Sequence, residues 1–108
     1  MGLTKTEEFT VEHNELAAMA KALGHPARIA ILEFLIQKKA CVCGDIVDEL
    51  PLSQSTISQH LQELKKVGLI QGTIEGPRIC YCIEPKAWAR LKGNLGGLLE
   101  SFKDTSCC

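Results

Sequence analysis

No Cys-x-x-Cys pair occurs in the 108 residues, although six cysteines are present. The spacing of a standard zinc ribbon or a thioredoxin-like redox motif is therefore missing. No apolar run approaches the length needed to cross a bilayer. The opening segment, MGLTKTEEFTVEHNEL, has no basic region followed by an apolar one. No signal peptide and no membrane association are expected, and a cytoplasmic location follows as an expectation. Internal repeats and low-complexity linkers are absent. So is any large excess of charge: the net value is −1, which by itself does not advertise nucleic-acid binding.

What is present fits one domain, residues 1–108, with about 1–10 and 103–108 expected to be mobile tails. A chain of this length has a modest core, and oligomerisation is a common way to enlarge it. The cysteines fall as Cys41-x-Cys43, Cys80-x-Cys82 and Cys107-Cys108. Neighbours so close would close tiny loops, which constrain an unfolded chain little. Paired thiols in a reducing compartment point instead to soft-metal ligands or redox groups. The charges are uneven. Residues 1–15 carry Lys5 against Glu7, Glu8, Glu12 and Glu15 (net −3). Residues 51–92 carry Lys65, Lys66, Arg78, Lys86, Arg90 and Lys92 against Glu63, Glu75 and Glu84 (net +3). A local basic surface matters more for DNA than the total charge.

Periodicity predicts a helix over about Val11–Leu23, with Leu16, Met19, Ala20 and Leu23 on one face and Gly24 as its stop. Pro26 suits the first turn of a second helix. Its run ARIAILEFLIQ is apolar nearly all round, so this helix is expected to be central and buried. After the loop KKACVCG, Asp45–Leu50 reads as a short third helix with Ile46, Val47 and Leu50 inward. Ser53 can cap a helix over Ser53–Val67 that ends at Gly68. Ile57, Leu61 and Leu64 form its buried stripe, while Gln54, Ser55, Thr56, Ser58 and Gln59 form a small polar face. Two β-rich runs flank Glu75-Gly76-Pro77 and predict a hairpin. Ile79, Tyr81 and Ile83 alternate with Cys80 and Cys82, so the apolar set is expected on the core and both cysteines on the outer face. Pro85 opens a last helix with a long stripe of Trp88, Leu91, Leu95, Leu98, Leu99 and Phe102. Its glycines, Gly93, Gly96 and Gly97, weaken it as a free helix, so it needs a packing partner. The fold class is mostly α with a β-hairpin wing: a winged helix-turn-helix, whose second helix enters the major groove.

The segment LPLSQSTISQHLQELKKVGLI followed by GTIEGPRICYCI resembles the ArsR/SmtB family of small winged-helix repressors, and ALGHPARIAILEFL is similar to that family's second-helix signature. The resemblance spans roughly residues 15–92. It implies a homodimer joined through the first and last helices, a palindromic double-stranded DNA operator, and release on effector binding. The two apolar terminal stripes fit such a dimer independently. Carried over by resemblance, the recognition positions are Gln54, Ser55, Thr56, Ser58, Gln59 and His60, with Arg78 on the wing. His13 and His25 carry no implied role. The last helix has no histidine and one glutamate, unlike members with zinc or nickel sites there. Cys41-Val42-Cys43 instead resembles the pair used by arsenic- and cadmium-responsive members. In those members an acidic residue directly follows the second cysteine, whereas here Gly44 stands before Asp45.

The chemistry of that pair stands without the analogy. In mid-helix, residues two apart point away from one another. In a loop or at a helix start they converge, and Gly44 makes the backbone permissive. A helix N-terminus also favours thiolates. Thiolates select soft acceptors: trivalent arsenic or antimony as the inducer, or Cd²⁺, Pb²⁺ or Zn²⁺, with no organic cofactor. A trivalent metalloid takes three sulfurs, and Cys107 or Cys108 is the expected source of the third. Cys80 and Cys82 form a possible second site. The chain is read as a non-enzyme. The alternatives are a thiol-redox or persulfide sensor on the same fold, a DNA-binding module with no effector, and a small thiol oxidoreductase, which the missing Cys-x-x-Cys disfavours.

Overall fold

The computed structural model describes residues 8–38, 41–42, 46, 50–75 and 78–104. Four helices and one antiparallel hairpin are present among them: α1 (Val11–Leu23), α2 (Pro26–Lys38), α3 (Gln54–Lys66), β1 (Ile70–Glu75), β2 (Arg78–Ile83) and α4 (Pro85–Ser101). The expected third helix, Asp45–Leu50, falls mostly outside the described residues. Of its members, Ile46 is buried and its carbonyl accepts from the Leu50 N–H at 3.2 Å, one helical turn. The tails expected to be mobile lie partly outside the described residues as well.

Local chemistry sets the helix ends. Thr10 caps α1, its Oγ1 accepting from the His13 N–H at 3.0 Å. Ser53 caps α3, accepting from the Thr56 N–H at 3.3 Å. The far end of α3 is a Schellman motif. The Leu69 N–H donates to the Leu64 carbonyl at 3.2 Å and the Gly68 N–H to the Lys65 carbonyl at 2.9 Å. Gly68 has φ +82, the left-handed region that favours glycine. Leu64 and Leu69, the apolar pair of the motif, are both fully buried. Glu84 caps α4 ahead of Pro85, its Oε1 accepting from the Ala87 N–H at 2.9 Å.

The core is mainly aliphatic, with Phe34 and Met19 among its members. Ile31, Leu32 and Leu35 of α2 pack with Ile57, Leu61 and Leu64 of α3, with Leu69 and Ile70 entering the wing and with Ala87 and Leu91 of α4. The expectation that α2 is buried nearly all round needs correction: Ile29 is 42% and Ile36 47% exposed. These two face α4 across an open apolar groove of about 400 Å³ whose far wall includes Trp88, Leu95 and Leu99. Beyond it Leu98, Leu99 and Phe102 are more exposed still. The stripe read on the last helix thus buries only its first half within one chain.

The hairpin pairs Ile70 with Ile83 through Glu75 with Arg78. One further segment joins it. Val42 forms an antiparallel bridge with Tyr81: the Val42 N–H donates to the Tyr81 carbonyl at 2.8 Å, and the Tyr81 N–H donates back at 2.9 Å. The loop before the helix-turn-helix is thereby fixed to the free edge of the wing.

Candidate functional site

The polar face of α3 is presented as the sequence predicts. Gln54, Ser55, Ser58 and Gln59 are exposed, and Thr56 is half-buried. Thr56 is partly committed to the cap, since its Oγ1 accepts from the Ser53 hydroxyl at 3.0 Å. Ser53 and Ser55 also share a hydrogen bond at 3.2 Å. Gln54, Ser58 and Gln59 are the side chains with the freest reach from this helix. Arg78 opens β2, opposite Glu75 in register. Further along, Lys66 pairs with Glu63 at 3.1 Å on the surface, an exposed pair of small energetic weight. That contact, chiefly the Lys66 hydrogen bond, holds the Glu63 carboxyl below its usual range.

His60 departs from this face. It is only 9% exposed, and its Nδ1 accepts from the Arg28 Nε–H at 3.1 Å. Its ring lies 4.4 Å from that of His25. Burial, then the neighbouring His25 and Arg28, lower its pKa below the ordinary histidine range. Desolvation disfavours the charged ring, and the bond from Arg28 requires a bare Nδ1. His60 therefore holds α3 against α2 and is not on the groove-facing surface. Its spacing explains this: with Ile57, Leu61 and Leu64 it falls on the inner side of the helix. Arg28 carries no sequence signal for this role; it also donates from Nη1 to the Ala22 carbonyl at 3.2 Å and so ties the end of α1 to α2 and α3. His25, read as having no role, accepts the Ala27 N–H at 3.1 Å and caps α2. Its position just before Pro26 was the available signal.

The thiols bring the largest revision. Cys80 is 2% exposed and Cys82 is half-buried, so the wing cysteines are not on an outer solvent face. Ile79 of the alternate set is 48% exposed instead, while Tyr81 and Ile83 pack partly on the core. Alternation along a strand tells which residues share a face, but not which face is covered. Here the segment at Val42 lies along the free edge of β2, and α2 packs against the same strand. The bridge also determines who meets whom. Val42 and Tyr81 exchange both hydrogen bonds, so the next pair outward is a non-hydrogen-bonded one, whose side chains approach most closely. That pair is Cys41 and Cys82, with Cα atoms 4.3 Å apart and the sulfurs joined as a disulfide. Cys80 is disulfide-bonded too. The Gln71 Nε2 lies 3.8 Å from the Cys82 sulfur. A cleft of about 500 Å³, lined by Leu35, Ile36, Cys41, Gln71 and Cys82 among others, opens beside them. Cys43, Cys107 and Cys108 lie outside the described residues.

Residues 25–71 match the family model described as "Bacterial regulatory protein, arsR family". The chain is 42% identical over 73 residues to the HTH-type transcriptional regulator MJ1325 of Methanocaldococcus jannaschii, covering 67% of this chain and 81% of that protein. It is 32% identical over 105 residues to the HTH-type transcriptional regulator YgaV of Escherichia coli, covering 97% and 99%. Among solved structures, the homodimeric winged helix-turn-helix DNA-binding domain of a possible ArsR-family regulator from Mycobacterium bovis superposes with a TM-score of 0.68 at 27% identity, covering 92% of this chain and 89% of that one. With a capped reading helix, a hairpin wing and these relatives, the chain belongs to the ArsR family of winged helix-turn-helix transcriptional regulators.

Proposed function

We propose that the protein is a homodimeric repressor that holds a palindromic double-stranded operator with α3 and the wing, and leaves it when a thiophilic metalloid or metal binds Cys41 and Cys43. Trivalent arsenic or antimony is the foremost inducer, with Cd²⁺, Pb²⁺ or Zn²⁺ as further occupants. Gln54, Ser55, Ser58 and Gln59 supply contacts to base edges and phosphates, with Thr56 nearer the cap. Arg78 reaches the backbone or minor groove from the wing. The apolar groove between α2 and α4, continued by Leu98, Leu99 and Phe102, is the surface a second copy covers.

The observation that carries the effector reading is the bridge between Val42 and Tyr81. It places Cys41 on the joint between the segment leading into the helix-turn-helix and the wing. A bond made there acts on both DNA-contacting parts. The donor set suits the ion class: sulfur ligands favour soft acceptors over magnesium or calcium.

Titrating arsenite into the reduced protein on its operator tests this. Release is expected, and Cys41→Ser and Cys43→Ser should each keep DNA binding while losing the response. The coupling at stake is about 1–3 kcal/mol, or roughly 5- to 150-fold in operator affinity. Release of either variant at the wild-type arsenite concentration contradicts the assignment.

The pairing of Cys41 with Cys82 favours a second reading, a repressor switched by thiol oxidation or persulfide at the same joint. Release by metal-free oxidation, with no response of the reduced protein to arsenite or Cd²⁺, selects it.

A further inference from the structure

We infer that, in the reduced protein, the wing cysteine Cys82 joins Cys41 as a sulfur ligand of the effector site, so that the third sulfur comes from the wing and not from the C-terminal pair. This rests on the effector reading above and names a further ligand of that site. Three observations carry it. The non-hydrogen-bonded pairing sets Cys41 directly opposite Cys82, with 4.3 Å between Cα atoms. Cys41 is exposed and Cys82 half-buried beside the cleft, so an ion can enter at this pair. Finally, the Gln71 amide at the Cys82 sulfur offers an N–H donor to a thiolate there.

The chemistry requires no oxidant. Arsenous acid exchanges its three hydroxyls for three thiolate sulfurs. Each S–H proton leaves with a hydroxyl as water, arsenic stays trivalent, and no sulfur is oxidised. Cadmium instead displaces the thiol protons to solvent, and such a site holds it with the same sulfurs plus a further donor. Either ion bonds the loop before the helix-turn-helix to the strand that begins at Arg78. From Arg78 to Cys82 along β2 is about 13 Å. A change in how Cys41 grips Cys82 therefore acts on the wing arm itself.

The test uses the full chain, reduced and kept free of oxygen, titrated with arsenite and separately with Cd²⁺. Binding is read by the number of thiols protected from alkylation and by the sulfur-to-cadmium absorption band. Metal-free operator binding serves as the check that each variant is folded. Loss of an outer-shell partner alone weakens metal sites by about 10- to 100-fold, so loss of a ligand should cost at least about a hundredfold. Cys82→Ser is expected to do so for arsenite. Replacing Cys107 and Cys108 together by serine should leave the affinity unchanged within error. Cys82→Ala provides a second variant at the same half-buried position. Mapping should show residues 41 and 82 protected together. The inference is overturned if the tail variant loses arsenite while Cys82→Ser and Cys82→Ala keep it. The effector reading survives that outcome with a different ligand set. If wild-type protein binds the ion through these sulfurs but stays on its operator, the effector reading fails and the ligand assignment stands. If the reduced wild type binds neither ion, both are wrong.

Discussion

The reading helix and the wing edge differ in how their residues come to be where they are. What starts, turns and stops α3 is written locally. Ser53 starts it, Ile57, Leu61 and Leu64 turn it onto the core, and Gly68 ends it with a left-handed residue that Leu69 seals. The thiol joint has no local cause. Cys41 and Cys82 are 41 residues apart in sequence, and a single pair of hydrogen bonds between Val42 and Tyr81 brings them together. A part that reads DNA can be rigid and self-contained. A part that responds to a small ligand has to connect two elements, so its geometry depends on pairing between distant segments.

The largest effect is expected inside α3. Leu64 is fully buried. Leu64→Ala should cost about 2–5 kcal/mol in unfolding free energy by chemical denaturation, and operator binding should fail with it. A variant as stable as wild type would mean that the helix is not held by its inner stripe. Next, Gln54→Ala should leave the unfolding curve unchanged and weaken operator binding by about 1–3 kcal/mol where a base contact is lost. Unchanged affinity in anisotropy titrations would place another surface in the groove.

A smaller effect is expected at the helix end. A Cβ on Gly68 would meet nothing within 4 Å, so only the backbone conformation opposes a side chain there. Gly68→Ala should cost about 1–2 kcal/mol, as for any L-residue forced left-handed, and thermal unfolding checks it. A stabilising outcome would show that the Schellman turn is not retained.

The smallest effect concerns His60. Burial, His25 and Arg28 favour its neutral form in the folded chain, whereas the unfolded chain titrates near the ordinary value of 6.5. The contribution to stability is therefore complete above that value and is lost as pH falls through it toward the lower folded pKa. Arg28 and Glu63 line the same cleft as the ring, and His25 lies against it. The unfolding midpoint should drop modestly below pH 6.5 in the wild type and less so in His60→Gln, whose amide oxygen can still accept from Arg28. An identical pH profile in both would remove His60 from the account.

Much of the fold was legible because capping residues, apolar spacing and proline or glycine stops act over a few positions. Gly24, Pro26, Ser53, Gly68 and Pro85 placed five helix ends to within a residue or so, and the β-rich runs flanking Glu75-Gly76-Pro77 placed the hairpin. The exposed Gln54, Ser55, Ser58 and Gln59 followed from the same periodicity. His60 entered the recognition set by resemblance alone, whereas its spacing with Ile57, Leu61 and Leu64 puts it on the inner side of the helix. The wing cysteines were misplaced because alternation cannot say which side of a strand another segment will cover. The exposure of Ile29 and Ile36 was hidden for a related reason: an apolar helix surface does not reveal whether its own chain or a second copy buries it.

The segment at Cys41 meets the wing, and thiol pairing in solution tests this directly. The reduced protein is treated briefly with a mild thiol oxidant, the remaining thiols are alkylated, and the tryptic peptides are mapped by mass spectrometry without reduction. The expected product is a bond joining the fragment of residues 40–65 to that of residues 79–86, with Cys41 linked to Cys82. Linkage of residues 40–65 to the terminal fragment of residues 104–108, with the 79–86 fragment left fully alkylated, would contradict it.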